Sequence, residues 1–89
     1  GFLIMKKIIM YTSSYCPFCN NAEQLLSNKG FAIDEKIYVD QDPEVLSSMM
    51  KITGKRTVPQ IFIGENYIGG FDELRKIDLS GELDRMLGV

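Results

Sequence analysis

The chain has 89 residues, a formal charge of −2 and a pI near 5.0, which is the size of one domain with a single modest core. No basic stripe is present, which argues against a nucleic-acid binder, and no apolar run approaches the ~20 residues needed to cross a membrane. The two cysteines stand three residues apart and there is no histidine, so a closed four-ligand zinc site within one chain is nearly excluded and no metal is expected.

Phe2-Leu3-Ile4-Met5 is far too short for a signal-peptide core, and its basic pair Lys6-Lys7 follows rather than precedes it. Residues 1–5 read as an N-terminal extension or expression remnant, with Met5 a plausible native start and residues 6–89 the domain. Without an export signal the expected compartment is the reducing cytoplasm. There, a close cysteine pair is more often catalytic than structural.

Lys6 to Tyr11 is nearly all apolar beyond its lysines and predicts a strand buried on both faces. Phe18, Ala22, Leu25 and Leu26 recur at helical spacing, and Gly30 stands where that helix would stop. Pro17 suits the first helical position, which makes Cys16 the N-cap of a helix running from Cys16 to about Lys29. Amides of Phe18 and Cys19 would then point at the Cys16 sulfur. Those N–H groups and the positive helix end favour thiolate over thiol. Cys16 therefore reads as a nucleophile and Cys19, one turn in, as the thiol that resolves what Cys16 forms. A structural disulfide is a poor alternative, because so short a loop removes little entropy from the unfolded chain.

Phe31, Ile33, Ile37 and Val39 alternate with polar positions as in a strand, with Glu35 marking an edge or bulge. Asp42-Pro43-Glu44 is a helix start with Asp42 as N-cap. Val45, Leu46, Met49 and Ile52 form the expected buried stripe, Met49 and Met50 read as core filler, and Gly54 ends the helix. Pro59 stands at the entrance of a strand, Ile61 to Ile63. Gly64-Glu65-Asn66 turns into a partner strand, Tyr67-Ile68. Gly69-Gly70 permits a tight turn with close backbone approach. A last helix begins at Phe71, carries Phe71, Leu74 and Ile77 on one side, and breaks at Ser80-Gly81. Leu83, Met86 and Leu87 follow and repack on the sheet. The order β-α-β-α-β-β-α predicts an α/β domain, a small mixed sheet with helices on both faces.

With these residues in place the chain resembles the glutaredoxin family, of the dithiol, single-domain kind, from Lys6 to Val89. The resemblance rests on Cys16-Pro17-Phe18-Cys19, on Thr57-Val58-Pro59-Gln60 and on Gly69-Gly70-Phe71-Asp72. It implies a thioredoxin fold with a central four-stranded mixed sheet, a cis bond between Val58 and Pro59, and a cytoplasmic monomer. It also implies a glutathione-dependent thiol–disulfide oxidoreductase that serves cell redox homeostasis and electron transport. Glutathione is implied as co-substrate, and disulfide-bearing or glutathionylated proteins as partners, ribonucleotide reductase among them.

The implied glutathione site comprises Tyr15, Phe18, Lys55, Arg56, Thr57, Val58, Pro59, Gly70, Phe71 and Asp72. In it the Val58 backbone pairs with the ligand's cysteine portion, and amides of Gly70 and Phe71 hold the γ-glutamyl carboxylate. Asp72 accepts the amino group, and Lys55 or Arg56 meets the glycine carboxylate. Three positions depart from the common family pattern: Phe18 for tyrosine, Phe71 for a frequent cysteine, and Ser13 for a frequent lysine or arginine. A thioredoxin-like carrier fed by a flavin reductase would not need the Gly70-to-Asp72 segment. An iron–sulfur carrier shared between two chains is disfavoured by Pro17, which stiffens the loop.

Overall fold

The computed structural model describes residues 6–89; the expectation for residues 1–5 lies outside the described residues. The elements, in chain order, are β1 (Ile8–Thr12), α1 (Pro17–Asn28), β2 (Glu35–Tyr38), α2 (Pro43–Thr53), β3 (Gln60–Ile63), β4 (Asn66–Gly69), α3 (Phe71–Ser80) and α4 (Glu82–Leu87). The sheet order is β2-β1-β3-β4. β1 pairs parallel with β2 and antiparallel with β3, and β3 pairs antiparallel with β4. This is the mixed four-stranded sheet of a thioredoxin fold.

Strand parity decides where the core sits. Ile8 and Met10 lie opposite Ile63 and Ile61, and all four are buried with Cys19, Ala22 and Leu26 of α1, Leu74 of α3 and Leu83 of α4. On the other face Tyr11 meets Phe62 edge-on and Phe62 meets Tyr67 at 5.1 Å between centroids. There Tyr11 and Ile37 share a shallow cleft with Val45 of α2. Helices thus cover both faces, but unequally. That inequality corrects the expectation of a first strand buried on both sides: β1 alternates buried and half-buried positions, and it extends to the buried Thr12 rather than starting at Lys6.

Glu35 lies in regular register opposite Ile9 on the edge strand, and the sheet's irregularity falls at Ile61/Phe62 instead. In α2, Asp42 Oδ1 accepts from Glu44 N–H at 2.9 Å, and Gly54 closes the helix at φ +73. Met49 is buried, but Ile52 is 59 % exposed and Met50 is also exposed, correcting both from the expected core. The stripe runs through Leu46, Met49 and Thr53, so Ile52 and Met50 fall on its two flanks. The break after Ser80 is at Gly81, whose φ of +85 a glycine adopts without strain.

Candidate active site

β1 and the Thr12–Tyr15 loop deliver the chain to α1 with Cys16 as its N-cap, extended at φ −151 and ψ 96, and Pro17 in the first turn. The Cys16 sulfur accepts from Cys19 N–H at 3.2 Å. Of the two amides expected at that sulfur, only that of Cys19 makes the bond. Cys16 and Cys19 are joined as a disulfide with their Cα atoms 5.2 Å apart. Cys16 is half-buried at the helix mouth, whereas Cys19 is 2 % exposed and part of the core. An incoming sulfur therefore meets Cys16 first.

The Val58 carbonyl oxygen lies 3.9 Å from the Cys16 sulfur, and the Val58–Pro59 bond is cis. Beside this approach opens a cleft of about 340 Å³ lined by Phe18, Lys55, Thr57, Val58, Pro59, Gln60, Tyr67, Gly70, Phe71, Asp72 and Glu73. Phe18 and Phe71 tilt towards each other across it at 6.3 Å. The lining carries both signs of charge, the Lys55 ammonium and the Asp72 and Glu73 carboxylates.

Eight of the sequence-predicted residues gather here: Phe18, Lys55, Thr57, Val58, Pro59, Gly70, Phe71 and Asp72. Arg56 is exposed and not among the lining residues. Tyr15, 87 % exposed, lines a separate cleft of about 130 Å³ that Cys16 and Cys19 themselves help to line, with Ser13, Ser14, Glu23, Lys36 and Tyr38. Ser13 Oγ donates to Tyr15 O at 3.1 Å, and Ser14 N–H donates to Asp40 at 3.0 Å. Hydrogen bonds from Ser14, side chain first and backbone second, hold the Asp40 carboxyl below its usual range.

Gln60, Tyr67 and Glu73 were not anticipated. Glu73 Oε1 accepts from Gly70 N–H at 2.8 Å, so in this structure the amide that the resemblance assigns to a ligand carboxylate is engaged within the protein. Phe71 and Asp72 are the first residues of α3, where N–H groups have no acceptor within the helix. A Cβ on Gly69, at φ +116, would stand 2.7 Å from Glu73 Oε1, so the turn and the folded-back glutamate require each other. A glutamate three residues after an N-cap is the capping-box signal, and the sequence did carry it.

The glutaredoxin family model matches residues 8–68. The chain belongs to the glutaredoxin family. It is 42 % identical over 83 residues to a glutaredoxin of Neisseria meningitidis, covering 93 % of this chain and 98 % of that protein. It is 41 % identical over 83 residues to glutaredoxin 3 of Escherichia coli K12, covering 93 % and 99 %. Among solved structures, a glutaredoxin of Brucella melitensis superposes with a TM-score of 0.84 at 39 % identity, over 98 % of this chain and 94 % of that one. A buckwheat glutaredoxin–glutathione complex superposes with a TM-score of 0.85 at 29 % identity, over 93 % and 77 %. Family membership and the Cys16–Cys19 pair together make this a thiol–disulfide oxidoreductase.

Proposed function

We propose that the chain is a glutathione-dependent oxidoreductase that reduces protein disulfides and protein–glutathione mixed disulfides. The observation that carries this is the asymmetry of the pair: a half-buried Cys16 at a helix mouth beside an open cleft lined by both signs of charge, with Cys19 buried behind it. The glutathione complex of the buckwheat relative supports the choice of thiol.

In the reduced protein, Cys16 as thiolate attacks a disulfide sulfur and releases the other sulfur as a thiolate, which takes up a proton. With a glutathionylated protein, glutathione passes to Cys16, and a second glutathione thiolate removes it as glutathione disulfide. With a protein disulfide, Cys19 loses its proton and attacks the Cys16 mixed disulfide, releasing the reduced protein and closing Cys16–Cys19. Two glutathiones then reopen that bond and leave as one glutathione disulfide.

Glutathione carries two carboxylates and one ammonium, and the cleft lining carries charges of both signs. The ligand's cysteine portion runs along the Val58 backbone, flanked by Thr57 and Pro59, with Phe18 over it. The first turn of α3, from the Phe71 N–H, takes the γ-glutamyl carboxylate, Asp72 takes the ammonium and Lys55 the glycine carboxylate. The Gly70 amide is left to Glu73; Arg56 and Tyr15 bear on larger substrates at the rim. The disulfide left after ribonucleotide reductase turnover, in the cytoplasm, is one substrate of this kind, and the chain acts as a monomer. The test is a coupled assay with glutathione, glutathione reductase and a small mixed disulfide. Turnover that depends on glutathione is expected. Turnover only with a flavin-dependent thioredoxin reductase would reject the reading.

A further inference from the structure

Gln60 is a polar side chain only 3 % exposed, and its surroundings leave its carboxamide one orientation. Its nitrogen donates to Thr57 O at 3.0 Å and lies 3.4 Å from Thr57 Oγ1. A backbone carbonyl can only accept, so the nitrogen of the carboxamide, and not its oxygen, must face Thr57. The carboxamide oxygen therefore faces the other way, onto the Tyr67 hydroxyl, with which it forms a short hydrogen bond. An amide oxygen can only accept, so the Tyr67 hydroxyl spends its one proton on Gln60.

What remains on Tyr67, for anything in the cleft, is oxygen lone pairs. The chain of three groups is thus polarised from Thr57 O outward, and it converts an ambivalent hydroxyl into an acceptor. Tyr67 lines the cleft with Asp72 and Glu73. Burial first, and the charge of Glu73 second, push the Tyr67 phenol up, so it stays a neutral acceptor rather than a phenolate. Its ring is held by Phe62, 5.1 Å away and directly across the β3–β4 ladder, which keeps the oxygen in place.

We infer that Tyr67, oriented by buried Gln60, is a specificity residue whose hydroxyl oxygen accepts a hydrogen bond from the ammonium group of the bound thiol ligand. An ammonium is chosen over a neutral N–H because the lining of the same cleft carries two carboxylates, which a cation is drawn to and a peptide N–H is largely indifferent to. The Tyr67 oxygen then adds an acceptor beside Asp72 for a group with three donors. The inference rests on the glutathione reading above and deepens it by assigning a recognition role to two residues outside the expected site.

The experiment is a two-by-two cycle on the whole chain in its disulfide form. S-methylglutathione, which cannot exchange, and its analogue with the ammonium replaced by hydrogen are titrated calorimetrically against wild type and Tyr67→Phe. Phenylalanine keeps the ring against Phe62, so the variant retains its packing. A hydrogen bond to a charged group at this half-open wall predicts about tenfold weaker binding of S-methylglutathione to Tyr67→Phe. The deamino analogue should bind both proteins within about twofold. If Tyr67→Phe weakens both ligands alike, the hydroxyl acts only by holding Gln60 and the loop, and the inference fails. If it weakens neither, the oxygen reads nothing and the inference fails again. Should wild type bind neither ligand, the glutathione reading itself falls and takes this inference with it, an outcome distinct from the other two.

Discussion

The two clefts that flank Cys16 and Cys19 are built on opposite principles. On the cis-proline side the wall is the backbone of Thr57 to Pro59, the buried Gln60 with its hydrogen bonds, and the glycine turn held by Glu73. On the Ser13 side it is an exposed loop and an ion pair, Lys36 to Glu23 at 2.8 Å, whose side chains are 36 % and 40 % exposed. Groups fixed by buried hydrogen bonds keep their geometry for a ligand, whereas exposed ion pairs are screened and worth little. Perturbations of the first wall should therefore cost more, in both stability and function, than perturbations of the second.

The largest effect lies between the walls. Cys16→Ser should abolish all exchange, because the sulfur that meets substrate is gone. Cys19→Ser should spare turnover of glutathione mixed disulfides and lose reduction of protein disulfides, because only the second route needs a resolving thiol. Steady-state rates with one substrate of each kind check both variants. Activity surviving in Cys16→Ser would overturn the assignment of the nucleophile.

Next is the floor of the first wall. Gln60→Leu leaves Thr57 O and the Tyr67 hydroxyl without their partner, at a cost of about 1–3 kcal/mol. Urea titration should show a lower midpoint, and glutathione turnover should show a raised KM as the Thr57–Pro59 segment loosens. An unchanged midpoint would mean that water replaces both bonds, and the contrast between a dry wall and a wet one would be lost.

A smaller effect is expected at the rim of the same wall, where Asp72 is exposed. Asp72→Ala should raise the KM for glutathione about tenfold, the order expected for a lost charge-assisted hydrogen bond. Asp72 is not the N-cap of α3, a place taken by Gly70, so its helix role is limited to an acid in the first turn, roughly 0.3–1 kcal/mol. KM and Tm measured on one variant separate the two roles. A fall in Tm with unchanged kinetics would leave Asp72 only a helix residue.

How much of this was legible follows from the range of the interactions. Cys16-Pro17, Asp42-Pro43, Gly54 and Gly81 act on their own helices, so local chemistry announced those boundaries. The order of elements followed from periodicity and turn residues, whereas the gathering of Thr57–Pro59 with Phe71–Asp72 came with the family resemblance. Ile52 and Met50 misled because helical spacing defines a stripe only to within one residue on either side, and α2 covers its face of the sheet along one narrow row. Gln60 and Tyr67 were hidden for another reason. Their bond crosses a hairpin, and a glutamine next to a proline looks like an ordinary solvated strand end until the register is known. The resemblance placed Gly70 in the ligand site, but only the structure shows its amide already given to Glu73.

The smallest effect should come from the second wall. Glu23 lies four residues beyond Cys19 on α1, and its hydrogen bond to Lys36 is the main reason the Lys36 pKa is raised above 10.5. A base whose folded pKa is raised contributes stability that is complete below the unfolded value and is lost as pH rises through the folded one. The pair therefore stabilises the protein at neutral pH and ceases to do so only above about pH 10.5. Both side chains are more than a third exposed, which limits the contribution to roughly 0.2–1 kcal/mol. Lys36→Met should lower the urea midpoint slightly at pH 7, and the difference from wild type should shrink as salt is added, since screening acts within about 10 Å at 0.1 M. The same difference should close as the pH is taken through the titration of Lys36. The KM for glutathione should not move, because Lys36 faces the other cleft. A KM raised severalfold would show that ligand reaches across the cysteines to this side, and the two walls would then have to be treated as one site.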